Sequence, residues 1–294
     1  MNHATTPRLR LGLAMWANAD WRGSLYSPLA AMNDSLPDYA AAFDTVEGNT
    51  TFYSGIPKEE TVQSWAAQTP ETFQFCFKLP SFITHEKRLK ACDADVDLFL
   101  ERLSLLGPRL GPVMVQLPRD LGVGMLPDLE HLLQRWPGHI PCSVEPRDPI
   151  FFAKGDAERA LNRLLITYGA DRVLLDVRPL MARKGAVGSP LWKAQQKKPH
   201  RPLHVIATGS RSLIRFIGHF DDSVNNDFFT PWVDRLCLWI SQGKTPFLFV
   251  HTPDNRQAPA LARRFAERVS EALTHSGQVR VPGVFAGESQ RSLF

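Results

Sequence analysis

The stretch FDTVEGNTTFY, Phe43 to Tyr53, begins as a strand. Phe43, Thr45, Glu47 and Asn49 alternate onto one face, with Asp44, Val46 and Gly48 on the other. A carboxylate and an amide therefore share a face where Gly48 loosens the backbone and the chain leaves the sheet. A second stretch, CSVEPR at Cys142 to Arg147, repeats the arrangement. There Ser143, Glu145 and Arg147 share a face and Pro146 stops the ladder. Either glutamate alone reads as a solvated strand end, since Glu is mostly exposed. The recurrence of Val-Glu-x-polar at two strand ends reads as two edges of one site.

Outward from these two stretches the chain alternates between strand and helix patterns. Strands are expected at Leu9–Trp16, Thr45–Asn49, Phe73–Leu79, Pro112–Leu117, the Glu145 segment, Arg172–Val177, Ser212–Gly218 and Pro246–His251. Helices are expected at Asp34–Phe43 (with Asp34 or Ser35 as cap), Glu59–Gln68, Asp93–Leu106, Leu126–Trp136, Asp156–Tyr168, Pro231–Gln242 and Pro259–His275. Strands apolar on both faces belong in a parallel sheet covered by helices. Eight such units in 294 residues predict a TIM-type (β/α)8 barrel, α/β in class and a single domain over 1–294. An open doubly wound sheet is the alternative, but no GxGxxG anchors a nucleotide in it. The irregular part is the connection between strands 6 and 7, a long insertion at about 179–211 in which no clean helix is expected, and a tail follows at about 277–294.

A barrel makes a specific statement about chemistry, because its active sites lie at the C-terminal ends of the strands. This chain brings Trp16, Glu47 with Asn49, Lys78, Gln116, Glu145 with Arg147, Asp176 with Arg178, Arg215 and His251 to those ends. Glu47, Glu145 and His251 are the catalytic candidates, the glutamates as general bases and the histidine as a proton shuttle. Lys78, Arg147, Arg178 and Arg215 suit phosphate oxygens, which Arg grips with two hydrogen bonds. Trp16, Asn49, Gln116 and Asp176 complete the expected contacts. Wet barrel mouths collect polar groups without any function, and that is the bland reading of the same residues.

The chain is 44% hydrophobic and 22% charged, an ordinary globular balance. No apolar run approaches the ~20 residues of a membrane span, and MNHATTPRLRLGL lacks a signal-peptide core. Cys76, Cys92, Cys142 and Cys237 form no CxxC pair and read as reduced thiols of a cytoplasmic protein.

VEGNTTFY, FCFKLP with the following Ile83-Thr84-His85, VMVQLP, VEPRDPIFF, IRFIG and HTPDN together resemble the YecE-like proteins of the domain-of-unknown-function 72 family. The resemblance runs over nearly the whole chain. It implies a TIM-type barrel, supplies no settled activity, and adds His85 to the expected mouth residues. Relatives carry His after the Val-Glu-x-Arg motif, where this chain has Asp148, so no histidine role transfers there.

Between Asp176 and Asp221 there is no acidic residue, yet nine Lys and Arg occur, among them Lys197, Lys198 and Arg201. With a formal net charge of +4, the rest of the chain is net acidic. Such a lobe attracts anions, whether phosphorylated small molecules or nucleic acid; its bland reading is a solvated loop. Three functions follow. The first is an enzyme, hydrolase-like, acting on a phosphoester or nucleic-acid-related polyanion. The second is glycoside chemistry by paired glutamates, with Trp16 and Trp21 stacking on sugar. The third is a non-catalytic module that binds nucleic acid or protein. Glu47, Glu145, Asp176 and His251 are oxygen-rich enough for Mg²⁺ or Mn²⁺, but no HxH or HExxH spacing accompanies them, so no metal ligand or cofactor is assigned.

Overall fold

The structure, a computed structural model, describes residues 6–32 and 35–289. In chain order the elements are β1 (Arg10–Leu13), α1 (Ser35–Ala42), β2 (Thr45–Gly48), α2 (Thr50–Ser54), α3 (Glu59–Ala67), β3 (Gln74–Phe77), α4 (Asp93–Ser104) and β4 (Val113–Gln116). Next come α5 (Leu126–Arg135), β5 (Cys142–Glu145), α6 (Asp156–Thr167), β6 (Asp171–Arg172), β7 (Leu174–Asp176), α7 (Arg178–Met181) and α8 (Pro190–Lys197). The chain ends with β8 (Leu213–Ile217), α9 (Asp222–Ser241), β9 (Phe247–His251), α10 (Ala258–Ala272) and α11 (Ala286–Ser289). The fold is α/β, with parallel strands joined by helices. Its described strands form a ladder of six and a ladder of three, not one closed ladder of eight.

The chain divides into two compact units. One takes in the described residues up to Val46, Leu175–His200 and those from Ile214 onward; the other takes in Glu47–Leu174 and Arg201–Leu213. In the first unit β1 runs parallel to β9, Arg10 opposite Phe247 and Leu13 opposite Val250. On its other side β1 pairs with β2, Gly12 opposite Thr45. That approach needs glycine: a Cβ at Gly12 would lie 2.0 Å from the Thr45 carbonyl oxygen. The Tyr39 hydroxyl of α1 accepts the Leu13 N–H at 2.7 Å and donates to the Thr45 carbonyl at 3.0 Å. In the second unit β4 and β5 pair in parallel, and Gln116 stands opposite Glu145. β6 continues that sheet, while Lys78 bridges to Met114 beside β4. Phe73, Phe75 and Phe77 alternate onto the outer face of β3, and Trp65 of α3 stacks on Phe77.

Three expectations need correction. The strand expected at Arg172–Val177 is two strands, which raises the described number to nine. Beside β6 the Arg172 N–H goes to the Thr208 hydroxyl, which itself donates to the Ala170 carbonyl, so a side chain closes that edge. The basic insertion is not featureless: it holds α7 and α8. Ser189 caps α8 through the Trp192 N–H, and Leu191 and Ala194 pack with Val177, Leu180 and Ile217. The helix expected from Pro231 begins nine residues earlier and carries Pro231 inside it. Asp221 caps it at the Ser223 N–H, and Val224, Phe229, Trp232 and Val233 bury its apolar side across the proline. The possible cap Asp34 lies outside the described residues. Among the described residues no helix is long and apolar enough to cross a membrane.

Candidate functional site

Polar side chains of the second unit stand at or just beyond the C-terminal ends of β2, β3, β4 and β5, and they touch in sequence. Glu47 of β2 is fully buried and its Oε1 lies 3.0 Å from the ammonium of Lys78, the residue after β3. Lys78 Nζ is also 3.4 Å from Gln116 Oε1, at the end of β4. Arg147 donates from Nη2 to that same Gln116 oxygen at 2.9 Å and from Nε to Glu145 Oε1 at 2.8 Å. Two carboxylates, each matched with a cation, thus flank one neutral amide oxygen that takes hydrogen bonds from both cations. Matched pairing lets four charges stay ionised out of water, where a lone one would be costly.

Water reaches the cluster from one side. Glu145 is buried, but the Arg147 side chain is 16% exposed, and its Nη1 bonds to no described residue. His85 stands beside it on a single π-helical turn, Phe82–Glu86. The half-buried ring has Nδ1 at 2.8 Å from the buried Thr84 hydroxyl. Burial lowers the His85 pKa first and the Arg147 charge lowers it further, against smaller upward pulls from Asp120 and Glu145. The imidazole is therefore neutral at pH 7, with a lone pair available to accept a proton. Two residues after this turn ends, a strained run begins: Arg88, Leu89 and Ala91 all hold positive φ, at 53°, 64° and 46°. Backbone strain of this kind persists only where the surroundings enforce it.

The sequence reading missed the aromatic edge of this cluster. In α2, Thr51 donates from its hydroxyl to the Lys78 carbonyl at 2.7 Å and so pins the short helix to β3. Phe52 then lies edge-on to His85, ring centroids 5.3 Å apart, and Lys78 Nζ is 5.9 Å from the Phe52 centroid. Phe52 and Tyr53 belong to the VEGNTTFY motif, but its strand alternation ends at Asn49, so no phase pointed to the rings. Asn49 precedes α2, its carbonyl accepting the Phe52 N–H at 3.2 Å.

The remaining expected residues belong to the first unit. Asp176 is fully buried and grips Arg178 with both oxygens, at 2.9 and 2.8 Å, while Trp232 Nε1 donates to it at 2.8 Å. Arg215 is buried on β8, and His251 is buried at the end of β9, its carbonyl accepting the Gly218 N–H. The Trp16 carbonyl accepts from the hydroxyls of Tyr26 and Ser35. No cluster of three or more His, Cys, Asp or Glu suited to a metal occurs among the described residues.

The family model described as a protein of unknown function, DUF72, matches residues 10–282. The chain belongs to the DUF72 family. Among DUF72 relatives, the UPF0759 protein YecE of Escherichia coli K12 is 42% identical over 269 residues, 92% of this chain and 95% of that protein. The UPF0759 protein YunF of Bacillus subtilis is 29% identical over 163 residues, 52% of this chain and 55% of that protein. A DUF72 crystal structure from Enterococcus faecalis has a TM-score of 0.64 at 19% identity, covering 90% of this chain and 95% of its own. One from Thermotoga maritima has a TM-score of 0.62 at 18% identity, covering 92% and 100%. At such identities the likeness is one of fold. In this DUF72 chain Asp148 does a structural job: its carboxylate accepts the N–H of Ile150 at 3.0 Å and of Gly122 at 2.9 Å, capping the turn Pro149–Phe152.

Proposed function

We propose that the cluster of the second unit is the anion-recognising centre of an enzyme that acts on a phosphorylated or polyanionic substrate, in the manner of a phosphoester hydrolase. The observation that carries this is the convergence of Lys78 and Arg147 on one neutral oxygen of Gln116, beside a neutral, half-exposed His85. Two cations held that close raise the local potential on the side where Arg147 meets water. A phosphoryl oxygen of the substrate binds to Arg147 Nη1, and Lys78 adds its charge. His85 then takes a proton from water as the water oxygen bonds to phosphorus, and the ester P–O bond breaks with its electron pair on the leaving oxygen. In this scheme Glu47 and Glu145 are positioning residues that hold the two cations.

The C-terminal ends of parallel strands are where barrel-type folds gather their chemistry, and we take these strand ends as such a functional end. Four free cysteines, three of them buried, favour a cytoplasmic setting. The glycoside alternative loses support because each glutamate is engaged by its own cation, whereas a glycosidase needs one protonated carboxyl to donate. The test is turnover of a panel of phosphomonoesters and phosphodiesters. Arg147→Ala should abolish both binding and turnover, and His85→Gln should abolish turnover while leaving binding within a few-fold. Turnover that survives both substitutions would sink the reading.

A further inference from the structure

We infer that Tyr53, Phe52 and His85 form a stacking subsite, so that the anion taken by this centre carries a flat heteroaromatic ring of nucleotide type. The inference rests on the anion reading above and adds the other half of the ligand. Tyr53 is 81% exposed, so its ring contributes little to the core. Yet the ring has an aromatic neighbour. It meets Phe52 edge-on with centroids 5.1 Å apart at 88°, and Phe52 meets His85 the same way, 5.3 Å apart at 87°. The contact between the Thr51 hydroxyl and the Lys78 carbonyl fixes the helix that carries both aromatic residues. The wall is thus anchored through Thr51, open to water at Tyr53, and continuous with the charged cluster, since Lys78 Nζ lies 5.9 Å from the Phe52 centroid.

The chemistry of the wall selects a class of ligand. A neutral imidazole and a phenol present π faces without net charge, which suits any flat base and discriminates weakly among bases. A base stacked there leaves its attached phosphate beside Arg147, whose side chain reaches water. A free mononucleotide and the end of a nucleic-acid strand share this chemistry.

Calorimetric titration of the full chain with inorganic phosphate, ribose 5-phosphate, adenosine monophosphate and a short oligoadenylate separates the possibilities. Adenosine monophosphate should bind about tenfold tighter than ribose 5-phosphate, within the range of a single stacked base. Tyr53→Ala should erase that margin without altering the affinity for inorganic phosphate, and Tyr53→Phe should retain it. If the two phosphates bind but the base adds nothing, or if the margin survives Tyr53→Ala, the subsite is wrong and the anion reading stands. If no phosphate compound binds, both fall. Among supporting outcomes, equal affinity for nucleotide and oligonucleotide assigns the subsite to free nucleotides. Much tighter oligonucleotide binding with the same Tyr53 dependence assigns it to a strand end.

Discussion

Glu145 and Glu158 are two buried glutamates of the second unit, and each meets an arginine, yet their surroundings differ in kind. Glu158 is only 3% exposed and spends every acceptor inside the protein. One of its oxygens meets His204 Nδ1 at 2.6 Å and Arg172 Nη2 at 3.3 Å, and the other accepts the Lys154 N–H at 2.9 Å. Arg172 in turn donates to Asn162 at 2.6 Å and to the Phe151 carbonyl at 2.9 Å, its guanidinium over the Phe152 ring. This knot ties α6, β6 and the 201–213 segment together. The Glu145–Arg147 pair sits at a strand end with one guanidinium edge toward water. Burial of the glutamate therefore does not distinguish the two pairs; the edge that Arg147 keeps toward water does.

The difference between the two glutamates is largest at Arg172. Arg172→Ala removes the guanidinium beside Glu158 and leaves that buried carboxylate with the His204 imidazole and the Lys154 N–H. Arg172→Ala should cost about 3–5 kcal/mol, the usual consequence of stranding one member of a buried pair, read from urea denaturation. A loss below ~1 kcal/mol would remove the contrast between knot and site.

Glu47→Gln should cost less, about 1–2 kcal/mol. The amide keeps a hydrogen-bond acceptor for Lys78, and a lysine deprived of its counter-charge can become neutral. Phosphate binding should nevertheless weaken at least tenfold, measured by calorimetry on the same preparation. If Glu47→Gln unfolds the protein as severely as Arg172→Ala, Glu47 is a second knot and not a cation holder.

That both glutamates sit at strand ends was legible from Thr45-Glu47-Asn49 and Ser143-Glu145-Arg147, because alternation is a period-2 signal that survives without tertiary information. So was the parallel α/β class, from strands apolar on both faces. What the sequence left dark were features without a period. The interruption between β6 and β7 depends on Thr208, more than thirty residues away, and α8 is held by packing that no local pattern announces. The His85 turn was reached only through family resemblance, since a single π-helical turn has no compositional signature. Pro231 argued for a helix start because proline favours the first turn, but Asp221 supplies the stronger cap.

A smaller effect separates the two regions by pH. The folded-state pKa of His85 is lowered, with burial the largest cause. Above about pH 6.5 both folded and unfolded chains leave it neutral, and it contributes no pH dependence. As pH falls through that value the unfolded chain takes up a proton that the folded site resists, so stability declines with acid. His85→Gln should flatten this decline in melting temperature measured between about pH 7.5 and about pH 5.5. His219, also lowered chiefly by burial, supplies a residual slope of the same sign. An unchanged slope would mean that His85 titrates as it would in water.

The smallest stability effect belongs to the basic insertion. Replacing Lys197, Lys198 and Arg201 with Ala should cost less than either buried substitution above, since none of the three is fully buried. If the lobe recruits polyanions, the same triple variant should bind heparin or nucleic acid more weakly and with a flatter salt dependence. Unchanged binding and slope would reduce the lobe to a solvated face.

Gly48 carries a consequence for how this protein can change. A Cβ there would fall 2.3 Å from the Phe77 ring, which is itself wedged between Phe75 and Trp65. A side chain at 48 forces the Phe77 ring to shift, and the next residue is Lys78, whose N–H reaches the Gly48 carbonyl at 3.4 Å and whose ammonium holds Glu47. The spacing of the charged centre is set by a missing methyl group on the far side of the strand. A lineage that needed to accept a new ligand could not retune the strand pair stepwise through this position. It would have to vary the exposed rim, Tyr53 and the turn from Phe82 to Arg88, and inherit the charged interior unaltered.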